Sequence, residues 1–175
     1  QYFKEIAQST SKDIVLYNVP GRTGVNLATE ATLRLAEIDN IIAIKEASSN
    51  YQQISEIICN APAGFTVLSG NDNETLSLIA SGAHGVISVA SNIVPSLMME
   101  LVNAIRNGNL IKARNLHFKL MPLFKNCFVE SNPIPAKAAM HALGLMDNSL
   151  RSPLTPASES TYQLMVDTLR QLDML

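Results

Sequence analysis

The first half of the chain mixes short apolar runs with helical spacing, whereas the second half keeps to helical spacing throughout. Residues 13–19, Asp-Ile-Val-Leu-Tyr-Asn-Val, form a β-branched and aromatic run closed by Pro20-Gly21, which reads as a strand and a turn. Leu27, Ala31, Leu35 and Ile38 share one face of a helix predicted over 27–38. Ile41, Ile42, Ala43 and Ile44 then form the continuous apolar run expected of a parallel strand covered on both faces. A helix over 51–59 carries Ile54, Ile57 and Ile58. Pro62 and Gly64 separate it from a strand over 65–69. Asn71 or Asp72 suits the N-cap of a helix over 74–80, and Gly82-Ala83-His84-Gly85 leads into a strand over 86–89. Repeated βα units imply parallel strands joined by crossovers.

After Pro95 only helices are predicted. Val94, Leu97, Met98, Leu101, Val102 and Ile105 make one stripe, closed by Gly108. Leu116, Leu120, Leu123, Phe124 and Cys127 mark a second helix over 110–129, kinked at Pro122. Asn132-Pro133-Ile134-Pro135 opens a third that stops at Gly144, and Tyr162, Met165, Leu169 and Leu172 line a last one. Parallel strands followed by helices fit an open α/β sheet or half of an eight-stranded barrel. A complete barrel takes about 250 residues. Residues 1–8 read as a helix with neither a capping residue nor an initiator Met before it. The expected fold is therefore α/β: the C-terminal half of a TIM (β/α)8 barrel, strands five to eight, over 1–108. A C-terminal helical domain over 109–175 follows, in a chain truncated at its N-terminal side.

A chain of 175 residues, 47% hydrophobic, can bury a core. Its net charge of −2, with signs interspersed, argues against nucleic acid or an anionic membrane as partner. No apolar run reaches the roughly 20 residues of a membrane helix. Cys59 and Cys127 lack metal or disulfide spacing and read as reduced core thiols of a cytoplasmic protein. His84, His117 and His141 lie on different elements, so no metal site is expected.

Chemistry in both architectures gathers at the carboxyl ends of strands. Lys45 ends the apolar run 41–44, where a solvated or Glu46-paired lysine is the plain alternative. Burial favours the neutral form of an amine, the form that attacks a carbonyl to give a Schiff base. By strand alternation, Val15-Tyr17-Val19 and Ile41-Ala43-Lys45 face inward at equivalent heights. A phenol beside an amine suits the proton shuttling of carbinolamine chemistry, the alternative being a packed tyrosine. Arg22 in the turn Pro20-Gly21-Arg22-Thr23-Gly24 is placed to clamp a carboxylate, or is solvated. Gly70 ends the third strand, and Ile87 sits in the last strand-end segment. A phosphate cradle in these loops is disfavoured, because no Gly-x-Gly pair opens either helix.

Tyr17-Asn18-Val19-Pro20-Gly21-Arg22-Thr23-Gly24 and Ile42-Ala43-Ile44-Lys45-Glu46-Ala47 together resemble the signature of the dihydrodipicolinate synthase family. Leu68-Ser69-Gly70-Asn71-Asp72, Gly82-Ala83-His84-Gly85-Val86-Ile87-Ser88 and Phe128-Val129-Glu130-Ser131-Asn132-Pro133-Ile134-Pro135 fit as well, so the resemblance covers essentially the whole chain. It implies class I aldolases on an eight-stranded barrel, condensing pyruvate with L-aspartate 4-semialdehyde to 4-hydroxy-tetrahydrodipicolinate in lysine and diaminopimelate biosynthesis. Lys45 would form the imine with pyruvate, with no cofactor, and Tyr17 would relay protons. Arg22 would bind the aldehyde's carboxylate, Gly70 would line the pocket and the Ile87 backbone would contact pyruvate. A homotetramer is implied, with the helix over 74–80 and the C-terminal helices as candidate contact surfaces. The family's Gly-Thr-Thr-Gly-Glu motif and a second, cross-interface tyrosine have no match here, so the isolated chain is expected to be inactive. The competing readings are an N-acetylneuraminate or keto-deoxy-sugar lyase, whose turn lacks the Arg22-Thr23 pair, and a non-catalytic half-barrel.

Overall fold

The computed structural model describes residues 1–175, in two compact units, 1–87 and 88–175. The first unit begins with α1 (Tyr2–Gln8) and continues through β1 (Ile14–Asn18), a single-turn α2 (Pro20–Thr23) and α3 (Thr29–Ala36). It then runs through β2 (Ile41–Glu46), α4 (Tyr51–Asn60), β3 (Thr66–Ser69), α5 (Thr75–Ala80) and β4 (Gly85–Val86). The four strands are all parallel and lie in sequence order, β1-β2-β3-β4.

One face of this sheet packs against helices, and the other is the more open. Leu16, Ile41, Ile44 and Val67 pack into one core with Phe3 and Ala7 of α1, Leu35 of α3, Ile54 and Ile57 of α4 and Leu78 of α5. Removing such a buried aliphatic side chain costs about 2–5 kcal/mol. On the opposite face Val15 and Tyr17 remain 45% and 48% exposed. Within the 41–46 strand only Ile42 is exposed, and on the Tyr17 face Ala43 is buried and Lys45 half-buried.

A register shift explains where that run departs from simple alternation. Ile14 pairs with Ile41, but the next pair is Val15 with Ala43, so Ile42 is an inserted residue. Ile41 and Ile44 consequently both enter the helix-side core, while Ile42 is 38% exposed. Ile41 does not share the face of Lys45, a correction to uninterrupted alternation; Ala43 and Lys45 do pair with Val15 and Tyr17.

Helix ends differ from expectation in ways their caps explain. Asn50 caps α4 by accepting from the Gln53 amide at 3.2 Å. A short 3-10 turn over Asp72–Glu74 precedes α5, and Asn71 makes no side-chain cap there. The last strand pairs only over Gly85–Val86, leaving 87–89 outside the sheet despite their apolar character. Cys59 is exposed and Cys127 buried, so only one is a core thiol.

The second unit contains α6 (Pro95–Arg106), α7 (Leu110–Asn126), α8 (Ile134–Ala142) and α9 (Glu159–Gln171). Met98, Leu101 and Ile105 of α6 and Leu120, Leu123 and Phe124 of α7 are buried at helical spacing. The α7 helix runs on through Pro122. Asn126 of α7 donates to Thr168 of α9 at 2.8 Å, among the buried Met165 and Leu169. Ser158 caps α9 by accepting from the Thr161 amide, and itself donates to Glu130 at 2.9 Å. Hydrogen bonds from Thr161 and Ser158 hold the Glu130 carboxyl below its usual range.

Candidate active site

The carboxyl ends of β1 and β2 bring two chemically distinct pairs together. Tyr17 and Lys45 are register partners on the more open face. The Lys45 Nζ stands 4.3 Å from the centre of the Tyr17 ring. An ammonium over a phenol face is held by the ring quadrupole, which orients the flexible lysine stem. Lys45 is half-buried, so its amine is supported by its surroundings yet accessible from that face.

Adjacent residues on a strand point to opposite faces, which separates Lys45 from Glu46. Glu46 turns to the helix side, where it is fully buried opposite Asn18. Asn18 Nδ2 donates to Glu46 Oε1 at 2.6 Å. The Ser48 hydroxyl donates to Oε2, and the Ser48 amide also approaches that oxygen. Burial pushes the Glu46 carboxyl above its ordinary value, opposed by its bonds from Ser48, Asn18 and Gln53. The Lys45–Glu46 ion pair that adjacency in sequence suggests is thus absent; the chain's ion pairs lie at Lys112–Glu100, Lys119–Asp173 and Arg170–Asp167.

The remaining expected residues lie on the loops that leave the strands. Arg22 sits on α2, a helical turn started by Pro20 and ended by Gly24 at φ 71°, and its side chain is exposed. Gly70 follows β3 and donates its amide to the Glu46 carbonyl at 2.6 Å. A Cβ at position 70 would stand 2.7 Å from Ala47 Cβ and 2.9 Å from the Glu46 oxygen, so glycine is required by the approach of two backbones. Ile87 lies just past β4 and is 41% exposed, with its amide donated to the Ser69 carbonyl at 2.9 Å. Tyr17 and Lys45 are thereby brought into contact, while Arg22, Gly70 and Ile87 lie on separate loops following β1, β3 and β4.

His84 is engaged with β3, its Nδ1 accepting from the Val67 amide at 3.2 Å, at the amino end of β4. His141 Nδ1 pairs with the Met146 carbonyl at 3.1 Å. No three His, Cys, Asp or Glu side chains converge where they could hold a metal ion. No helix is long and apolar enough to cross a membrane.

The residues that sequence reasoning missed are Asn18, Asn26, Gln53 and Ser48, all gathered around Glu46. Asn26 Oδ1 accepts from Asn18 at 2.9 Å, and Asn26 Nδ2 donates to Gln53 at 2.8 Å. A signal for them was present: an Asn and a Glu each follow the residue proposed for chemistry, at the ends of neighbouring strands.

Known proteins match this arrangement along the whole chain. The sequence model of the dihydrodipicolinate synthetase family matches residues 1–172. The 4-hydroxy-tetrahydrodipicolinate synthase of Thermosipho africanus is 46% identical over 173 residues, covering 97% of this chain and 59% of that protein. The crystal structure of dihydrodipicolinate synthase from Thermotoga maritima superposes with a TM-score of 0.97 at 46% identity, over 100% of this chain and 60% of that one. The chloride-inhibited enzyme from Acinetobacter baumannii, complexed with pyruvate, gives a TM-score of 0.96 at 38% identity, over 100% and 60%. The chain thus spans about three-fifths of the length of the relatives it matches. With a family match over 172 residues and an arrangement of strands and helices superposing on solved members, this chain belongs to the dihydrodipicolinate synthetase family.

Proposed function

We propose that this chain supplies the Schiff-base half of a 4-hydroxy-tetrahydrodipicolinate synthase. The observation that carries the reading is the Lys45 amine standing 4.3 Å from the centre of the Tyr17 ring at the ends of paired strands. β1 to β4 are strands five to eight of a (β/α)8 barrel. Their sequential order and single helix-packed face support this, since a doubly wound sheet reverses its order and carries helices on both faces. The more open face, carrying Val15 and Tyr17, is then the barrel interior.

Lys45 gives up its ammonium proton to solvent and attacks the keto carbon of pyruvate as the free amine; a proton passes from the added nitrogen to the former carbonyl oxygen to give a carbinolamine. Loss of water forms the iminium, and the Tyr17 hydroxyl is the group placed to move these protons. Loss of a proton from the methyl carbon gives an enamine, whose carbon attacks the aldehyde of aspartate semialdehyde, making the new carbon–carbon bond. The substrate's own amino group then displaces Lys45 and closes the ring. Arg22 is the cation available for the second substrate's carboxylate. The imine itself serves as electron sink, so the chemistry calls for no metal or organic cofactor. Homo-oligomeric assembly and a cytoplasmic setting belong to the same proposal.

The test joins these residues to the remaining part of a relative and supplies pyruvate with aspartate semialdehyde or N-acetylmannosamine. Consumption of the semialdehyde, and its loss in Arg22→Ala, supports the reading. Turnover of the sugar alone would overturn it in favour of a sialic-acid lyase.

A further inference from the structure

We infer that Asn18 and Glu46 form a buried clasp that positions the Tyr17 phenol against the Lys45 amine. The catalytic meaning of this inference rests on the Schiff-base reading above; its geometry does not. Asn18 and Glu46 are the register pair immediately after Tyr17 and Lys45, on the opposite face of the same two strands. Each strand end is therefore held from behind by the side chain next to the one it presents in front. The Asn18 Nδ2 to Glu46 Oε1 bond, at 2.6 Å, ties β1 to β2 where their ladder ends, beside the Ala47 amide donated to the Asn18 carbonyl.

The orientation of the clasp is fixed rather than merely compatible. Asn18 Oδ1 accepts from the Leu27 amide at 3.0 Å, so its Nδ2 must be the atom turned to Glu46 and Asn26. Gln53 donates to the Leu27 carbonyl at 3.2 Å, pinning the loop after α2 onto the first turn of α4. The clasp thus also anchors the segment that leads away from Arg22. Glu46 is fully buried, with neutral donors around it and no cation. Such a carboxyl is costly to bury, and an aliphatic side chain would fill the same space more cheaply. Packing alone gives no reason for it, whereas directional bonding to two strand ends and two loops does.

The test reads the geometry without requiring turnover. With 13C-ζ-labelled tyrosine, the Tyr17 resonance is assigned by its loss in Tyr17→Phe, and the shift produced by Lys45→Ala is measured in several backgrounds. Glu46→Gln preserves acceptance from Asn18 and turns its amide to the Ser48 hydroxyl, so the Lys45-dependent shift is retained. Glu46→Ala and Asn18→Ala remove the clasp by different routes, so that a folding defect in one leaves the other informative, and both lose the shift. Ile57→Ala, a core truncation of the same unit, retains it. In the joined polypeptide, borohydride trapping with pyruvate slows roughly tenfold to a hundredfold in Glu46→Ala, as expected for ångström-scale misplacement. An undiminished Lys45-dependent shift in folded Glu46→Ala or Asn18→Ala, its loss in Ile57→Ala, or no such shift in the parent would overturn the clasp. A parent that shows the shift yet traps no pyruvate refutes the Schiff-base reading and leaves the clasp standing.

Discussion

The Gly70 amide and the Glu46 carbonyl meet at 2.6 Å, drawing the turn after β3 onto the end of β2 just past Lys45. A methyl group at position 70 would collide with Ala47 Cβ at 2.7 Å and with that same carbonyl. Gly70→Ala should therefore destabilise the first unit by about 1–3 kcal/mol, the usual cost of forcing extra volume into a packed site. Urea unfolding followed by circular dichroism measures it, and an unchanged midpoint would mean the two turns move apart freely.

Ser49, three residues after Glu46, is a non-glycine residue at φ 57°. The left-handed conformation costs an ordinary residue roughly 1–2 kcal/mol, and glycine avoids it while giving up about 0.5–1 kcal/mol of chain entropy. Ser49→Gly should then raise stability by about 0.5–1 kcal/mol, the difference of those terms. Ser49→Val should lower it, because a β-branched side chain fits this region worst. Equal midpoints for all three proteins in thermal melts would contradict the strain.

His117 lies buried on α7 beside Phe118 and Phe124, and burial pushes its imidazole below the ordinary value of 6.5. The unfolded chain then binds a proton there at higher pH than the folded one. Its effect on stability is absent above 6.5 and grows unfavourable as pH falls from 6.5 through the lowered folded value. His117→Leu should gain stability relative to the parent over that window, with the difference levelling off above it. Glu46, raised by burial, works in the opposite sense, its contribution being lost as pH rises above 4.5, and it cancels in the comparison. A difference between the two proteins that does not change with pH would refute the assignment.

Tyr17→Phe keeps the ring under the Lys45 amine and removes only the hydroxyl. Stability should be nearly unchanged, whereas imine formation with pyruvate in the joined polypeptide should slow about 10²–10⁴-fold, the range of a lost general acid–base. Stopped-flow borohydride quenching gives the rate. Undiminished imine formation would reduce Tyr17 to a platform for the amine.

Sequence reading reached the elements whose signal is local. Alternation at Val15 and Tyr17, the apolar run into Lys45 and the helical stripes at Leu101–Ile105 and Met165–Leu169 all follow from spacing, and the structure has them. The inserted residue at Ile42 was invisible, because four consecutive apolar residues look alike in either register. Residues 87–89 read as strand from their side chains, yet pairing stops at Val86, which no side chain announces. In sequence Glu46 suggests only a partner for Lys45, since adjacency hides that strand neighbours face apart. Its real partners, Asn18 and Ser48, became evident once the register placed β1 beside β2.

Under the proposed function, Lys45 is the amine that becomes covalently joined to pyruvate. Borohydride reduction in the presence of pyruvate, followed by intact mass and peptide mapping, tests it in this chain and in the joined polypeptide. One reduced pyruvate adduct is expected in the joined polypeptide, mapped to Lys45 and abolished by Lys45→Ala. An adduct on another lysine, or none while the protein is folded, would contradict it.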